Sequence, residues 1–239
     1  YGENTVAEYA FALLLALTRK IYPSIEQVKE TGSFDVSKLQ GVDLYKKTIG
    51  VVGSGRIGKH VLRIARGFGM NLIAYDPHPD PVCATENNCA YTSLEELMRL
   101  SDVITLHVPY MPETHHLINK EMLANVKHGA FIINTSRGGI IDTEALVAAL
   151  RSGDLAGAAL DVLEEEGAIK DEVGLLFSKH PEEHNLRTVL ADHMLMNMPN
   201  VIVTPHNAFN TVEALERILR VASENIVAFA TGKPQNLVS

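Results

Sequence analysis

Three glycines and one aspartate form the clearest chemical pattern in this chain. Gly53, Gly55 and Gly58 make a G-x-G-x-x-G sequence between a strand-like apolar run and a helical segment. The first glycine permits a tight turn, the second lets the backbone approach a pyrophosphate, and the third allows close helix-to-strand contact. Asp76 ends the next apolar run, where its carboxylate can bind ribose hydroxyls and repel a 2′-phosphate. The pattern predicts a dinucleotide site that prefers NAD to NADP.

Three side chains with catalytic chemistry follow other strand-like runs. Arg137, Glu166 and His206 each come after an apolar segment. Open α/β sheets bind ligands outside the carboxyl ends of their strands, so we expect the three to meet at one edge. Alternatives remain at each position: a surface salt bridge for Arg137, an ordinary loop residue for His206, and competition from Glu164 and Glu165 for the role of Glu166.

The elements that must position these residues alternate between β-rich runs and helical segments, which indicates a doubly wound parallel α/β sheet. Predicted strands are 48–53, 71–76, 103–108, 130–135, 157–162 and 201–204, and predicted helices are 56–68, 93–100, 119–126, 142–152 and 211–231. Asp142 or Thr143, and Asn210 or Thr211, are the expected N-caps. We interpret 1–239 as one NAD-binding, Rossmann-like domain, with an entry helix and linker (1–47), a core (48–206) that contains an insertion (164–200), and a final helix (207–239).

The apolar run from Val6 to Leu17 predicts a buried helix. Glu8 interrupts it, and it is far shorter than the roughly 20 residues that a membrane span needs. Asn4 or Thr5 could cap this helix, and the basic pair at 19–20 would complement the negative end of its dipole. The sequence therefore predicts no membrane partner.

Composition narrows the class of protein further. The 239 residues are 46% apolar and carry 21 basic and 29 acidic side chains, a net charge of −8 without a basic stripe, which argues against a nucleic-acid partner. Cys83 and Cys89 lie in a loop-like stretch and lack C-x-x-C spacing, so we expect a reducing cytoplasm. The histidines at 115, 116, 180, 184 and 193 show no metal-binding spacing, so no metal is expected.

Six motifs together resemble one family, the D-isomer-specific 2-hydroxyacid dehydrogenases, and in particular its D-lactate dehydrogenase-like branch. In this chain they are Gly2-Glu-Asn-Thr-Val-Ala-Glu8, Thr48-Ile-Gly-Val-Val-Gly-Ser-Gly-Arg-Ile-Gly58, Leu106-His-Val-Pro109, Asn134-Thr-Ser-Arg-Gly138, Ala159-Leu-Asp-Val162 and Pro205-His206. The resemblance covers nearly the whole chain. It implies an NAD-dependent enzyme that interconverts 2-oxo acids and D-2-hydroxy acids.

The resemblance also implies a catalytic set. Arg137 would bind the carboxylate and carbonyl oxygen of a 2-oxo acid through its planar cationic fork. His206 would donate a proton to the carbonyl oxygen as hydride arrives, and Glu166 would stabilise the imidazolium form of that histidine. The family places the acid five residues after the aspartate of the Leu-Asp-Val motif, and 161 + 5 gives 166.

The same resemblance implies a set of cofactor contacts. They run along the chain from the glycine loop to the nicotinamide end of the site: Gly53, Gly55, Arg56, Ile57 and Gly58 at the pyrophosphate, Asp76 at the ribose, Val108, Pro109 and Thr114 along the flank, and Thr135, Ser136 and Asp161 near the nicotinamide. Plain structural roles, such as a strand end for Val108 and a turn or cap for Thr114, are the alternatives.

Two departures from the family pattern matter. Forty residues separate Glu166 from His206 (206 − 166), an insertion that resembles the D-lactate branch and suggests a small substrate such as pyruvate. The chain also begins at Tyr1 inside the entry helix, so we expect a piece of a longer enzyme that lacks the N-terminal segment of the substrate domain and is inactive alone. Helix 211–231, returning toward that domain, should then expose apolar surface.

The resemblance implies a homodimer that pairs through the region from Asn4 to Lys20 and the flanking linker, with an intrachain core as the alternative role of the apolar helix. NAD-sensing corepressors share the fold and are an alternative from another functional class, although their regulatory tails have no counterpart here. Phosphoglycerate, glyoxylate and formate remain open as alternatives within the enzymes.

Overall fold

The structure, a computed structural model, describes residues 2–170 and 185–237. Its strands are β1 (Thr48–Val52), β2 (Asn71–Tyr75), β3 (Cys89–Tyr91), β4 (Val103–Leu106), β5 (Ala130–Asn134), β6 (Leu155–Leu160) and β7 (Val201–Val203). Its α-helices are α1 (Glu3–Thr18), α2 (Ile21–Thr31), α3 (Arg56–Gly67), α4 (Pro81–Asn87), α5 (Leu94–Leu100), α6 (Lys120–Ala124), α7 (Thr143–Ser152), α8 (Glu166–Lys170), α9 (Leu186–Asn197) and α10 (Val212–Ala230).

The strands form one parallel sheet in the order β3-β2-β1-β4-β5-β6-β7. This is the dinucleotide-binding order with a seventh strand added at one edge. The direction of winding reverses between β1 and β4, and a crevice opens at such a point beyond the carboxyl ends of the strands. The predicted doubly wound fold is confirmed.

Alternation along the central strands gives the sheet two buried faces. Ile49 and Val51 of β1 face one apolar cluster together with Phe11 and Leu14 of α1. Val52 faces the opposite cluster, which contains residues of α5 and α7. Because both faces are covered, the strands are near-continuous apolar runs, as expected for parallel sheets.

The predicted buried helix is α1, whose inward face includes Ala7, Ala10 and Leu13. The predicted caps of this helix are wrong, because it begins at Glu3 after Gly2 and no side chain caps it. Thr5 is instead a buried residue inside the helix, where its hydroxyl accepts a hydrogen bond from Arg217. Helical structure therefore begins earlier than the apolar run suggests.

Two other N-caps follow the predictions. Asp142 accepts a hydrogen bond from the backbone N–H of Ala145, and Thr211 accepts one from Ala214. Both side chains therefore satisfy an N–H group that the first helical turn leaves unpaired.

Five elements are missing from the predicted secondary structure. These are α2, α4, α8, α9 and the strand β3. The cysteines consequently do not lie in a loop: Cys83 is in α4 and Cys89 is in β3, and both are buried free thiols. Three of the omitted elements, α4, α8 and β3, span only three to seven residues, too few positions for hydrophobic periodicity to identify them, whereas α2 and α9 span 11 and 12 residues.

The last described helix is strongly exposed. Leu219, Ile226 and Phe229 of α10 are 67%, 69% and 77% exposed, which confirms the expected apolar surface. Across the two described ranges, no helix combines the length and the apolar character required to cross a bilayer.

Candidate functional site

The three glycines of the β1–α3 turn have three different surroundings. Gly53 has φ +91°, and a Cβ there would lie 2.7 Å from the His107 carbonyl oxygen. A Cβ on Gly58 would lie 2.0 Å from the Gly53 carbonyl oxygen. At Gly55 nothing lies within 4 Å of the Cβ position. Packing within the protein thus requires the first and third glycines, whereas the second leaves open space at the N-terminus of α3, where a phosphate would bind.

Asp76 lies directly after β2 and faces this turn. Its Oδ2 accepts hydrogen bonds from the N–H (2.8 Å) and hydroxyl (3.0 Å) of Ser54, and its Oδ1 accepts one from the N–H of His78 (2.9 Å). The Tyr91 hydroxyl donates to Ser54 Oγ at 2.8 Å. The carboxylate is therefore held in a fixed orientation beside the glycine turn.

Arg56 and Ile57 begin the helix that follows the turn. The Arg56 side chain is exposed and forms an ion pair with Glu3, with 3.0 Å between Nη1 and Oε1. Ile57 is half-buried and lines the cavity described next.

A cavity of about 970 Å³ lies beyond the carboxyl ends of the central strands. Predicted site residues that line it are Ile57, Val108, Pro109, Thr135, Ser136, Arg137, Glu166 and His206. The other lining residues are Val6, His107, Tyr110, Gly138, Gly139, Leu163, Glu164, Ala208 and Phe209. Five of these, Tyr110, Gly139, Leu163, Ala208 and Phe209, were not singled out from the sequence, and they follow the carboxyl ends of β4, β5, β6 and β7.

Two polar atoms in the cavity wall are shielded from solvent and have no hydrogen-bond partner among the described residues: Thr135 Oγ1 and His107 Nδ1. The other ring nitrogen of His107, Nε2, lies 2.8 Å from the Thr105 hydroxyl. Burial lowers the pKa of His107 to about 3, so the ring is neutral at physiological pH. A buried polar atom without a partner is costly, and the polar groups of a dinucleotide in this cavity would supply partners. Together with the open space at Gly55, they fit such a cofactor.

His206 and Glu166 meet at the edge of this cavity. His206 Nδ1 lies 3.3 Å from Glu166 Oε2, and Glu166 Oε1 accepts a hydrogen bond from the N–H of Leu163 at 3.3 Å. His206 has φ +54°, an uncommon conformation for a residue other than glycine. The histidine is therefore held in a specific turn, with one ring nitrogen facing the acid.

Asp161 stabilises the turn that contains His206. Its buried carboxylate accepts hydrogen bonds from the Thr204 hydroxyl and from the N–H groups of Asn207 and Ala208 (2.9 and 2.8 Å). Its carbonyl oxygen accepts the His206 N–H at 2.9 Å. In this structure Asp161 thus connects the end of β6 to the loop that carries His206.

The three consecutive glutamates have three different partners. Glu164 Oε1 lies 2.7 Å from His116 Nε2, and its Oε2 accepts a hydrogen bond from Thr143. Glu165 Oε1 accepts a hydrogen bond from the N–H of Asn185. Among the described residues, the third glutamate, Glu166, contacts the ring of His206.

Arg137 lies on the loop after β5, with an exposed side chain whose Nη1 donates to the Ser136 carbonyl at 2.7 Å. The next residue, Gly138, packs so tightly that a Cβ would lie 2.0 Å from the Leu163 carbonyl carbon. The loop that carries Arg137 therefore contacts the loop that carries Glu166. Asn134 secures the first loop, since its side-chain amide donates to the Arg137 carbonyl oxygen.

The remaining flank residues have local structural contacts. Val108 is 9% exposed at the end of β4, and the Thr114 hydroxyl donates to the Pro109 carbonyl at 2.7 Å while accepting the Met111 N–H at 2.8 Å. Thr114 therefore closes a turn at this point.

One group of potential metal ligands occurs in the described residues. Ligand atoms of His115, His116 and Glu164 all lie within 4.8 Å of one another, a convergence that the spacing along the chain did not indicate. Tyr110 and Thr143 form hydrogen bonds to the outer members of this group. The histidines at 180 and 184 lie outside the described residues.

Comparisons with known proteins point to one family. The family model for the D-isomer-specific 2-hydroxyacid dehydrogenase, NAD-binding domain, matches residues 11–208. A 2-hydroxyacid dehydrogenase homolog from Zymomonas mobilis is 41% identical over 98% of this chain and 68% of its own length. A glyoxylate reductase from Korarchaeum cryptofilum is 37% identical over 99% of this chain and 66% of its own length.

A solved structure agrees. The D-lactate dehydrogenase of Aquifex aeolicus, complexed with NAD and lactic acid, is 38% identical with a TM-score of 0.85, over 98% of this chain and 68% of that one. The chain thus spans about two thirds of the length of the proteins it matches.

Proposed function

The chain belongs to the D-isomer-specific 2-hydroxyacid dehydrogenases, a family of NAD-dependent oxidoreductases, and we propose that the protein interconverts pyruvate and D-lactate or a similarly small pair. One observation carries the proposal. Arg137, Glu166 and His206 line a single cavity that also contains two unpaired polar atoms suited to a dinucleotide. The lactic acid bound to the Aquifex aeolicus relative supports the choice of substrate.

The bound NAD(H) supplies or accepts the hydride in this chemistry. His206 provides the proton. Because its Nδ1 faces Glu166, its Nε2 is the atom that would donate to the carbonyl oxygen during reduction and accept the proton during oxidation. Glu166 would orient the ring through this contact. Arg137, whose exposed guanidinium group lies beside the same cavity, would bind the substrate carboxylate and polarise the carbonyl.

We assign the cofactor contacts as the sequence suggested. The turn from Gly53 to Gly58, with Arg56 and Ile57, would hold the pyrophosphate, and Asp76 would bind the adenosine ribose. The flank would consist of Val108, Pro109 and Thr114, and the nicotinamide end would lie near Thr135, Ser136 and Asp161. The fixed orientation of the Asp76 carboxylate supports a preference for NAD over NADP.

The proposal is tested with the full-length protein that contains this chain. Calorimetry with NADH and NADPH is followed by NADH-oxidation assays with pyruvate, glyoxylate and hydroxypyruvate. We expect NADH-selective binding and the highest kcat/KM with pyruvate. A glyoxylate preference, which the Korarchaeum cryptofilum relative makes the second candidate, would revise the substrate. Binding without turnover of any 2-oxo acid would overturn the catalytic proposal.

We further propose a cytoplasmic homodimer. The two buried free thiols fit a reducing compartment. Next to the expected pairing region, Tyr22, Phe34 and Val36 are 59%, 85% and 74% exposed, and apolar surface of this kind favours association. Analytical ultracentrifugation should show a dimer for the wild-type protein. The Phe34→Asp variant should show a larger fraction of monomer at the same concentration. A monomeric wild-type protein would contradict the proposed assembly.

A further inference from the structure

The helix α9 carries a buried acid that the proposed chemistry does not use. The inward residues of this helix are Thr188, Val189, Ala191, Asp192 and Leu195, and Asp192 is 0% exposed. A carboxylate in this position is costly to bury unless it is paired. The groups that contact the Asp192 carboxylate therefore indicate its role.

Asp192 faces the backbone of the loop after β6. Its Oδ2 accepts a hydrogen bond from the N–H of Glu165 at 3.0 Å, and the N–H of Glu164 also faces the carboxylate. Its Oδ1 is buried without a hydrogen-bond partner within the described ranges. The acid thus contacts the residue immediately before Glu166.

A second contact connects the same helix to the same residue. Asn185, the N-cap of α9, donates its N–H to Glu165 Oε1 at 3.2 Å, while its side chain accepts from the N–H groups of Arg187 and Thr188. Glu165 is therefore bound at its backbone by Asp192 and at its carboxylate by Asn185. Across the loop, His116 and Thr143 bind Glu164.

The loop is consequently fixed on both sides of the peptide that precedes Glu166. Burial and the nearby charges of Glu164 and Glu165 raise the pKa of Asp192 to about 6, while the N–H of Glu165 opposes that rise. Burying a neutral side chain at this position would cost less free energy. The carboxylate of Asp192 therefore serves to accept hydrogen bonds that hold the loop in place.

We propose that Asp192 is a positioning residue that fixes the loop from Leu163 to Glu166 and thereby sets the contact between Glu166 and His206. The inference rests on the proposed dehydrogenase function. It also assigns a role to part of the 164–200 insertion, because α9 holds the loop that precedes the catalytic acid.

The experiment compares Asp192→Leu, Asp192→Asn and Thr188→Val in the full-length protein. In Asp192→Leu we expect kcat for pyruvate reduction to fall about 10-fold, while the Kd for NADH changes less than twofold. Asp192→Asn keeps an oxygen that accepts the Glu165 N–H, so it should recover most of the activity.

Thr188→Val is the matched control, because it removes a buried polar group from the same face of α9 without touching the loop. Equal losses in all three variants, or a parallel loss of NADH affinity, would overturn the positioning role. A crystal structure of Asp192→Leu gives a readout that needs no turnover: we expect the Glu166–His206 distance to exceed 4 Å. An unchanged distance would overturn the inference, whereas an inactive wild-type enzyme would instead contradict the proposed function.

Discussion

His206 Nδ1 lies 3.3 Å from Glu166 Oε2, although the two residues are 40 positions apart (206 − 166), Glu166 at the start of α8 and His206 in the loop after β7. Asp161 holds the histidine loop, and Gly138 packs against the backbone beside the glutamate loop. The proposed proton donor, its acid partner and the Arg137 loop thus form one connected structure. Disturbing any of these supports should affect proton transfer more than cofactor binding.

Replacing His206 tests the proton donor. Because its φ is +54°, asparagine is a better substitute than alanine, since it tolerates the left-handed conformation. We expect His206→Asn to lower kcat by ~10²–10⁴-fold with little change in NADH affinity. His128→Asn, at an exposed histidine, is the control and should leave kcat unchanged. Equal losses of turnover and affinity in His206→Asn would indicate structural damage instead.

Substitutions at Gly55 and Gly58, two of the three glycines of the turn, should separate effects on folding from effects on cofactor binding. Gly58→Ala places a Cβ against the Gly53 carbonyl oxygen, so we expect a loss of stability of at least ~2 kcal/mol. Gly55→Ala meets no protein atom and should leave Tm unchanged or slightly raised. It should nevertheless weaken NADH binding, because the methyl group enters the space of the pyrophosphate. Thermal melts and calorimetry measure both effects, and undiminished binding in Gly55→Ala would remove this turn from the pyrophosphate site.

Asp76→Ala tests the selection of the cofactor. Loss of hydrogen bonds from a charged acceptor typically costs ~1.5–3 kcal/mol, so NADH should bind about 10- to 100-fold more weakly. Removing the negative charge should also reduce the difference between the affinities for NADH and NADPH. Asp35→Ala, which removes an exposed acid from the linker, is the control for net charge. If the ratio of the two affinities stays at the wild-type value, Asp76 does not contact the ribose.

The buried charge of Asp192 should make stability depend on pH. Its folded pKa of about 6 is above the ordinary value of 3.8, so the folded state holds this proton more tightly. The contribution of this protonated group to the free energy of unfolding is fully present below about pH 4 and is lost as pH rises through 6. Asp192→Asn should therefore raise the free energy of unfolding by on the order of 2–3 kcal/mol at pH 7. Denaturant melts at pH 4 and pH 7 measure the difference, and an equal effect at both would contradict a raised pKa.

Much of this protein was determined locally by its sequence. The turn at Gly53 and Gly58 forms because only glycine fits those positions, and the strands form because runs such as 103–106 are mostly apolar and β-branched. The fold class, the long elements and the NAD-binding turn could therefore be predicted. Short elements could not, because β3 spans three residues and acquires its structure from pairing with β2.

The tertiary structure alone decided how the acids divide their contacts. Glu164, Glu165 and Glu166 are adjacent and chemically identical, so residue type does not separate them, and only the spacing from Asp161 that the family resemblance implies selected Glu166. Their different partners come from α7, α9 and the loop after β7. The role of Asp192 was equally hidden, because burial and the approach of the Glu165 N–H exist only once α9 has packed against the sheet. Hydrogen bonds between distant segments depend on distance in space, and periodicity along the chain does not encode that distance.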